Sequence, residues 1–443
     1  MPPAHPSAPY RLAVATAVRA ARIAARFNDK VARGLTGRRD LLSRYATWAG
    51  ASRDRRRPLV WFHAPSVGEG LQTKPVLEAL RCERPDWQVL YTFYSPSAER
   101  LARSLPADFA DYLPLDRPRD VRLALDLVAP TALVYGKLDV WPELTLGAAA
   151  QDVRLGMISA TVAPESTRLA WPVRRWAHAA YATLERIGAI APEDAMRLER
   201  LGARREAIHV TGDTRYDSVA ERAARLDWSR EPLATLAAGG RERFTIVAGS
   251  TWLGDEAVLF PAFAELHAAA GGAARLIVAP HEPTPAHLAA SIAQARNHGL
   301  PQPMRLSQLA ASPESGEVAA VVLVDRVGVL ADLYALAQVA YVGGGYHRAG
   351  LHSVLEPAVF GVPVCFGPRW TASRDAGLLL QGGAALALPR DGSRLLAERW
   401  RQWHTDAAQR ERAGAAAANV VRRGRGATAR TLTLVRQLVE EGR

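Results

Sequence analysis

Only two cysteines occur in the 443 residues, Cys82 and Cys365. That excludes a disulfide framework and suits a reducing compartment, with both thiols expected to serve as small buried hydrophobes. Long apolar runs are missing from the N-terminal region. Its longest, Leu12–Val18, is far short of the roughly 20 residues that a membrane span needs, and no signal-peptide core with a small-residue cleavage site is expected. Established metal-ligand spacings are absent as well. His281-Glu282 with His287, and His347 with His352, come nearest, so no metal is expected. Acidic residues are in deficit, 44 against 56 Lys and Arg, for a net charge of +12. Residues 1–58 alone hold thirteen Lys/Arg against three Asp, an excess of ten. The rest of the chain is near neutral, which argues against a nucleic-acid-binding surface and for one local basic face.

What remains is a chain long enough for two domains, each burying its own core. A hydrophobic content of 49% and a charged content of 23% are globular values. The basic arm, residues 1–58, opens with a Pro-rich stretch to Pro9 that is expected to be disordered. Tyr10–Val31 then reads as one helix rich in Ala, Leu and Arg. At about 100° per residue, Arg11, Arg19, Arg22, Arg26 and Arg33 share an arc of roughly 80°. The opposite face is mainly Ala, with Leu12 and Ile23 at its edge. Such a helix fits a membrane interface, apolar side toward lipid and Arg rim toward anionic headgroups. It also fits a solvated helix packed on its own domain. The run Arg53–Arg57 reads either as a contact for acidic headgroups or acceptor phosphates, or as a solvated linker.

From residue 59 short apolar runs alternate with helical periods. Leu59–Ala64 reads as a strand, Pro65–Gly68 as a tight turn and Glu69–Arg81 as a helix. Gln88–Thr92, helix Ser97–Ser104, Asp111–Leu115 and Thr131–Tyr135 continue the pattern. After a linker at Ala223–Pro232 it resumes with Phe244–Ala248, a helix from about Asp255, and strands Arg275–Ala279, Val321–Val324 and Val339–Val342. Leu395–Asn419 and Thr428–Glu441 read as helices. This is the βαβ rhythm of doubly wound parallel sheets, whose ligands sit outside the carboxyl ends of the strands. The expected class is α/β, with domains at 59–225 and 233–420 and a terminal segment at 421–443. Ser66 and Glu69 lie at one strand end, where Glu69 also fits the simpler role of a first-turn acid favoured by the helix dipole.

The stretch Tyr341–Pro368, YVGGGYHRAGLHSVLEPAVFGVPVCFGP, is the most informative. An apolar strand enters Gly343-Gly344-Gly345, where backbone can approach a ligand closely because no Cβ intervenes; glycines of this kind equally serve ordinary βαβ packing. A polar turn leads through Gly350, His352 and Ser353 to a helix whose first turn holds Glu356 and Pro357. A helix N-terminus aimed outward from parallel strands suits a phosphate. Glu356 is placed to take two ribose hydroxyls, and Gly249-Ser250-Thr251, at another strand end, offers further donors.

This stretch resembles the nucleotide-binding signature of the Kdo transferases, which move 3-deoxy-D-manno-oct-2-ulosonic acid (Kdo) from CMP-Kdo onto a lipid A precursor. The likeness spans roughly residues 59–435. WFHAPSVGEG, at 61–70, resembles the family's W-x-HAASVGE, and Tyr112–Asp116 its YLPLD. Val210–Asp217 resembles VTGN-x-KFD. Departures are local. Leu351 and Ser353 stand where the family usually has Gly and Asn, and Trp252 stands in place of a His. At His281 the family has an Arg directed at the nucleotide, and Arg275 and Arg296 are the candidates to compensate. GKLDVWPE, at 136–143, replaces ETELWPN, so that Lys137 and the shorter Asp139 occupy acidic positions.

The resemblance implies a GT-B fold, two Rossmann-like domains facing across a cleft, with the last helix crossing back to the first domain. Glu69 would be the general base and Ser66 its orienting partner or a sugar contact, with Asp139 on the acceptor side. Arg215, Ser250, Thr251, His281, Gly350, His352, Ser353 and Glu356 would bind the donor. No cofactor is implied beyond the CMP-Kdo donor substrate. The implied partner is a lipid A-type acceptor at the anionic cytoplasmic face of the inner membrane, reached through the basic arm, with peripheral or monotopic attachment. An inverting glycosyltransferase is the leading expectation. The alternatives are a sugar-nucleotide epimerase or isomerase of the same architecture, or a divergent non-catalytic nucleotide-binding relative.

Overall fold

The computed structural model describes residues 6–171, 173–238, 243–311 and 319–441. The first five residues of the Pro-rich stretch lie outside the described residues. Two compact units are present: residues 1–217 with 425–443, and residues 218–424. The division therefore falls ahead of the expected linker at 223–232, and the last helix belongs with the first unit.

The first unit is built on seven parallel strands: β1 Leu59–His63, β2 Gln88–Phe93, β3 Phe109–Tyr112, β4 Ala132–Gly136, β5 Arg154–Ala160, β6 Arg186–Ala189 and β7 Ile208–Val210. Their order is β3-β2-β1-β4-β5-β6-β7. Every residue of β1, β2 and β4 is buried, which is why these strands read as unbroken apolar runs rather than alternations. Strand order reverses between β1 and β4, and the crevice outside their carboxyl ends is the expected ligand position. The helix Ala427–Glu440 packs Leu432, Val435, Leu438 and Val439 into this core. Asp217 caps it, accepting from the amides of Gly426 and Thr428 at 2.7 Å each.

The basic arm is not one long helix. It forms α1 Ala8–Ala24, α2 Asp29–Thr36 and α3 Leu41–Ser52. Asn28 ends the expected helix, because its side chain accepts from the amides of Lys30 and Val31 and starts α2 instead. Pro9, expected in a disordered stretch, lies in the first turn of α1, where proline is tolerated. Leu41, Tyr45 and Trp48 of α3 enter the core, so residues 41–52 are part of the first unit rather than of an appended arm. Much of the positive charge is structural. Arg11 grips Glu143 with two bonds of 2.7 and 2.8 Å, and Arg44 grips Asp111 with two of 2.6 and 2.9 Å. Arg53 and Arg57 bind backbone carbonyls at Val128, Ala129, Pro85 and Asp86, so that run is neither a headgroup contact nor a linker at those two positions.

The second unit has β8 Thr245–Thr251, β9 Arg275–Pro280, β10 Met304–Arg305, β11 Val321–Leu323, β12 Val339–Val342, β13 Val364–Phe366 and β14 Ala385–Ala387. All are parallel, in the order β10-β11-β9-β8-β12-β13-β14. Ile246, Ala248, Leu276, Val278, Val339 and Tyr341 pack on one face with Trp400 and Trp403. Val247, Ile277 and Ala340 pack on the other. That alternation is the period of two that a sheet covered on both faces requires. Here order reverses between β8 and β12, which places Ser250–Trp252 and Gly343–Ser353 at the switch point. The segment expected as one helix at 395–419 is two, Ser393–Thr405 and Ala407–Gly424.

Candidate active site

In the first unit the turn after β1 feeds α4, Val67–Glu83, with Glu69 in its opening turn. The Ser66 hydroxyl does not cap the helix; it hydrogen-bonds the Glu69 carboxylate. Lys137, just past the end of β4, brings its Nζ to 3.3 Å from Glu69 Oε1. Its backbone has φ +67°, a left-handed conformation uncommon for a side-chain-bearing residue. Burial raises the proton affinity of Glu69, but the Ser66 hydrogen bond and the Lys137 charge outweigh it and hold the pKa below the ordinary glutamate value. The result is a carboxylate, ionised near neutral pH and partly exposed.

Two residues past Lys137, Asp139 gathers a second set. Its Oδ2 accepts from Trp141 Nε1 at 2.9 Å and lies 3.2 Å from His63 Nε2, while Oδ1 accepts from Arg168 at 3.1 Å. The pKa of Asp139 is lowered, because contacts with His63, Arg168 and Trp141 overcome the burial that raises it. His63 itself is fully buried, with Nδ1 on the Thr92 carbonyl and hydroxyl. The expected acceptor-side pair Ser66 and Asp139 thus splits into a partner of Glu69 and the hub of a part-buried network. The sequence marked Lys137 only as a departure from the family pattern and gave no sign of Arg168, because the contacts that define them cross 68 and 29 residues.

Further along the first unit, the motif Val210–Asp217 is tied into the fold. Arg215 makes two side-chain bonds to Asp213, at 2.6 and 2.9 Å. The Thr214 hydroxyl donates to Gln72 O at 2.6 Å. Asp116 of YLPLD is buried under the helix Pro142–Ala149, accepting from the amides of Glu143 and Leu144 and from Tyr10 Oη. In these two motifs Asp116, Thr214 and Asp217 hold the scaffold.

In the second unit the glycine loop is shaped by its own chain. A Cβ on Gly343 would overlap the Ser250 carbonyl, and one on Gly344, at φ +91°, would overlap Gly350 O. Close packing of loops, not space for a ligand, is what requires glycine there. Asp255 ties these loops together, accepting from the amides of Trp252 and Gly344 and from Tyr341 Oη at 3.0, 2.9 and 2.9 Å. The helix after the loop is a single turn, Leu355–Ala358, too short to carry the expected dipole. The amides of Gly350 and His352 are engaged by His347 O and Gly343 O. Thr251 is turned inward, its hydroxyl on Glu256 at 2.8 Å, where His287 and Ser291 also converge. Ser250 stands at the strand end with φ +55°, and Ser353 is exposed. Glu356 has its pKa raised by burial, partly offset by Arg222.

His281 is not backed by an arginine. Arg275 is buried at the opposite end of β9 on Leu236 O and Thr245, roughly 17 Å of strand away. Arg296 binds Gln302 at the far end of its helix. Instead His281 joins a ladder of rings. Trp252 stacks on His347 with centroids 3.8 Å apart and on His281 at 4.9 Å, and His281 meets His352 at 4.5 Å. Burial first, then His281 and His347, push the pKa of His352 down to about 4. Among the described residues no group of three or more His, Cys, Asp or Glu is arranged to hold a metal ion.

Comparison with known proteins places this geometry. The family model for 3-deoxy-D-manno-octulosonic-acid transferase (kdotransferase) matches residues 16–218. The 3-deoxy-D-manno-octulosonic acid transferase of Bordetella pertussis is 32% identical over 342 residues, covering 74% of this chain and 76% of that protein. That of Haemophilus influenzae is 24% identical and covers 91% and 92%. Among solved structures, UDP-GlcNAc 2-epimerase from Neisseria meningitidis matches with a TM-score of 0.58 at 14% identity, covering 83% of this chain and 97% of that one. A likeness at that identity establishes the shared GT-B architecture and not the reaction. The sequence relatives, extending through both units, show that this chain belongs to the 3-deoxy-D-manno-octulosonic acid transferase family.

Proposed function

We propose that the protein transfers Kdo from CMP-Kdo to a hydroxyl of a phosphorylated, acylated lipid A-type acceptor, inverting the anomeric centre in one displacement. As a member of its family it is a glycosyltransferase of lipopolysaccharide core biosynthesis. The observation that carries the finer reading is Glu69, an ionised, partly exposed carboxylate at the switch point of the first sheet, oriented by Ser66. An acceptor oxygen attacks the anomeric carbon, and its proton passes to Glu69. The bond to the phosphate oxygen breaks, and CMP departs with the electron pair. A positioned base contributes about 10²–10⁴-fold to such a step. Its charge also favours the oxocarbenium character of the transition state. CMP is itself the leaving group, so the step needs no cofactor. Ser250, Ser353, Glu356 and the imidazoles of the second unit are the proposed donor contacts, and Arg215 joins them if it exchanges Asp213 for phosphate.

The proposed location is the cytoplasmic surface of the inner membrane. No helix among the described residues is long and apolar enough to cross a bilayer. Surface attachment is supported by α1, none of whose residues is buried. Leu12, Ile23 and the following Phe27 are 67%, 62% and 86% exposed. Arg19 lies between Leu12 and Ile23 on that outward face, while Val14, Val18 and Ala21 are partly covered. Arginine and apolar side chains are therefore interleaved rather than opposed, and Arg11 and Arg33 do not share the expected rim. Mixed faces of this kind seat in headgroups.

The test is CMP release from CMP-Kdo by purified protein, with and without a lipid A precursor, beside Glu69→Ala. Acceptor-dependent release that the variant loses is the expected result. Tight CMP binding without release for any acceptor would instead fit a non-catalytic relative.

A further inference from the structure

The ring ladder gathers three imidazoles from two strand ends of the second sheet, His281 after β9 and His347 and His352 after β12, around Trp252 after β8. The Trp252 indole is stacked against both His347 and His281, which leaves it engaged within the ladder. His352 Nε2 is buried and has no hydrogen-bond partner. A buried polar atom left unpaired is costly, and at a switch point, where ligands of such sheets sit, it points to a missing partner.

The charged groups around the ladder are accounted for. Asp255 serves the Trp252 and Gly344 amides and Tyr341. Glu256 serves Thr251, His287 and Ser291. Glu282, beside His281, is exposed, as is Arg348 beside His347, and Arg369 approaches through its backbone amide on Gly345. Among the described residues no carboxylate hydrogen-bonds any of the three rings. His347 Nδ1 accepts from the Ala349 amide at 3.2 Å. Three neighbouring imidazoles without a counter-charge cannot all be protonated, and the depressed pKa of His352 agrees with that.

We propose that His281, His347 and His352 act as one set that holds the donor phosphate, and that binding takes a proton onto the set. The inference rests on the nucleotide-donor reading above. A phosphodiester supplies the missing negative charge, satisfies His352 Nε2 and turns mutual repulsion into attraction. A guanidinium in this place would bind the same phosphate without proton uptake, because it is always charged. Here affinity must fall as pH rises, by up to about tenfold per unit while the bound set holds a proton that the free set does not.

The probe is the methyl ester of CMP, whose single phosphodiester charge does not change between pH 6 and 8.5, titrated calorimetrically into the full-length protein. Matched buffers of different ionisation heat, free of phosphate, count the protons. We expect net proton uptake at pH 7 and binding at least about fivefold tighter at pH 6.5 than at pH 8. His281→Arg should bind with little pH dependence and less uptake, and His352→Gln should weaken binding most at low pH. Binding of constant affinity without proton uptake would overturn the inference and leave the donor reading standing. No binding by wild type or His281→Arg at any pH would remove the donor reading itself.

Discussion

Replacing Lys137 by Met tests the assignment of the base more sharply than deleting the base, because it changes the charge on Glu69 without touching it. The ion pair spans 3.3 Å. With an effective dielectric of 20 its Coulomb energy is about 5 kcal/mol, an upper bound. The Lys137 side chain is 38% exposed, so solvent screening reduces the usable energy to about 1 kcal/mol. That is roughly fivefold in the ratio of carboxylate to carboxyl at a given pH. Lys137 and Ser66 together hold the Glu69 pKa down against burial. Without the lysine the pKa rises, so the acid limb of kcat/KM moves to higher pH. Below that limb the variant should run about fivefold slower than wild type, and on the plateau the two should converge.

The assay is initial-rate CMP release across pH 4.5–8 at saturating donor. Lys137→Gly is the companion variant: it removes the same charge but suits the left-handed φ of +67° better than any side chain does. Agreement between the two variants assigns the effect to charge. A loss of equal size at every pH, or a rise in acceptor KM with an unmoved pH profile, would refute the reasoning and make Lys137 an acceptor contact.

Glu69→Gln keeps the side-chain shape and a partner for Ser66; kcat should fall about 10²–10⁴-fold while CMP affinity stays within about twofold, measured by turnover and calorimetry. Gly343→Ala should lower the melting temperature of the second unit markedly, since its Cβ would overlap the Ser250 carbonyl. Changing Leu12, Ile23 and Phe27 together to Ser should weaken sedimentation with vesicles of anionic lipid at least tenfold without changing circular dichroism, as all three are exposed. Asp116 is pushed up to about 6 by burial, above the ordinary value near 3.9 for an unfolded chain. Its contribution to stability is therefore present below about pH 4 and lost as pH rises through 6. The stability cost of Asp116→Asn should accordingly shrink by about 2 kcal/mol between pH 4.5 and 7 in urea titrations.

Where the fold was readable, the signal was local. Leu59–His63, Gln88–Phe93 and Val339–Val342 are short apolar runs buried on both faces, and Glu69 sits in the first turn after such a run. Boundaries failed where one side chain decided them: Asn28 cuts the first helix by capping the second, and no periodicity announces it. The site was half readable, because a motif fixes which residues are present but not what they face. HAPSVGE placed Glu69, yet the lysine paired with it comes from the end of another strand in a backbone conformation that sequence rarely signals. Thr251 fitted a phosphate donor and is turned onto a buried glutamate. His281, seen alone, was a weakened substitute for an arginine. Two departures from the family pattern, Trp252 and His281, lie stacked together, and His347 from a variable turn stacks on the same indole. Substitutions that touch one another are better explained as one altered binding solution than as independent decay. A non-catalytic descendant would have no reason to keep Glu69 ionised while rebuilding the phosphate side, so the rebuilt ladder favours an active transferase with a different pH dependence.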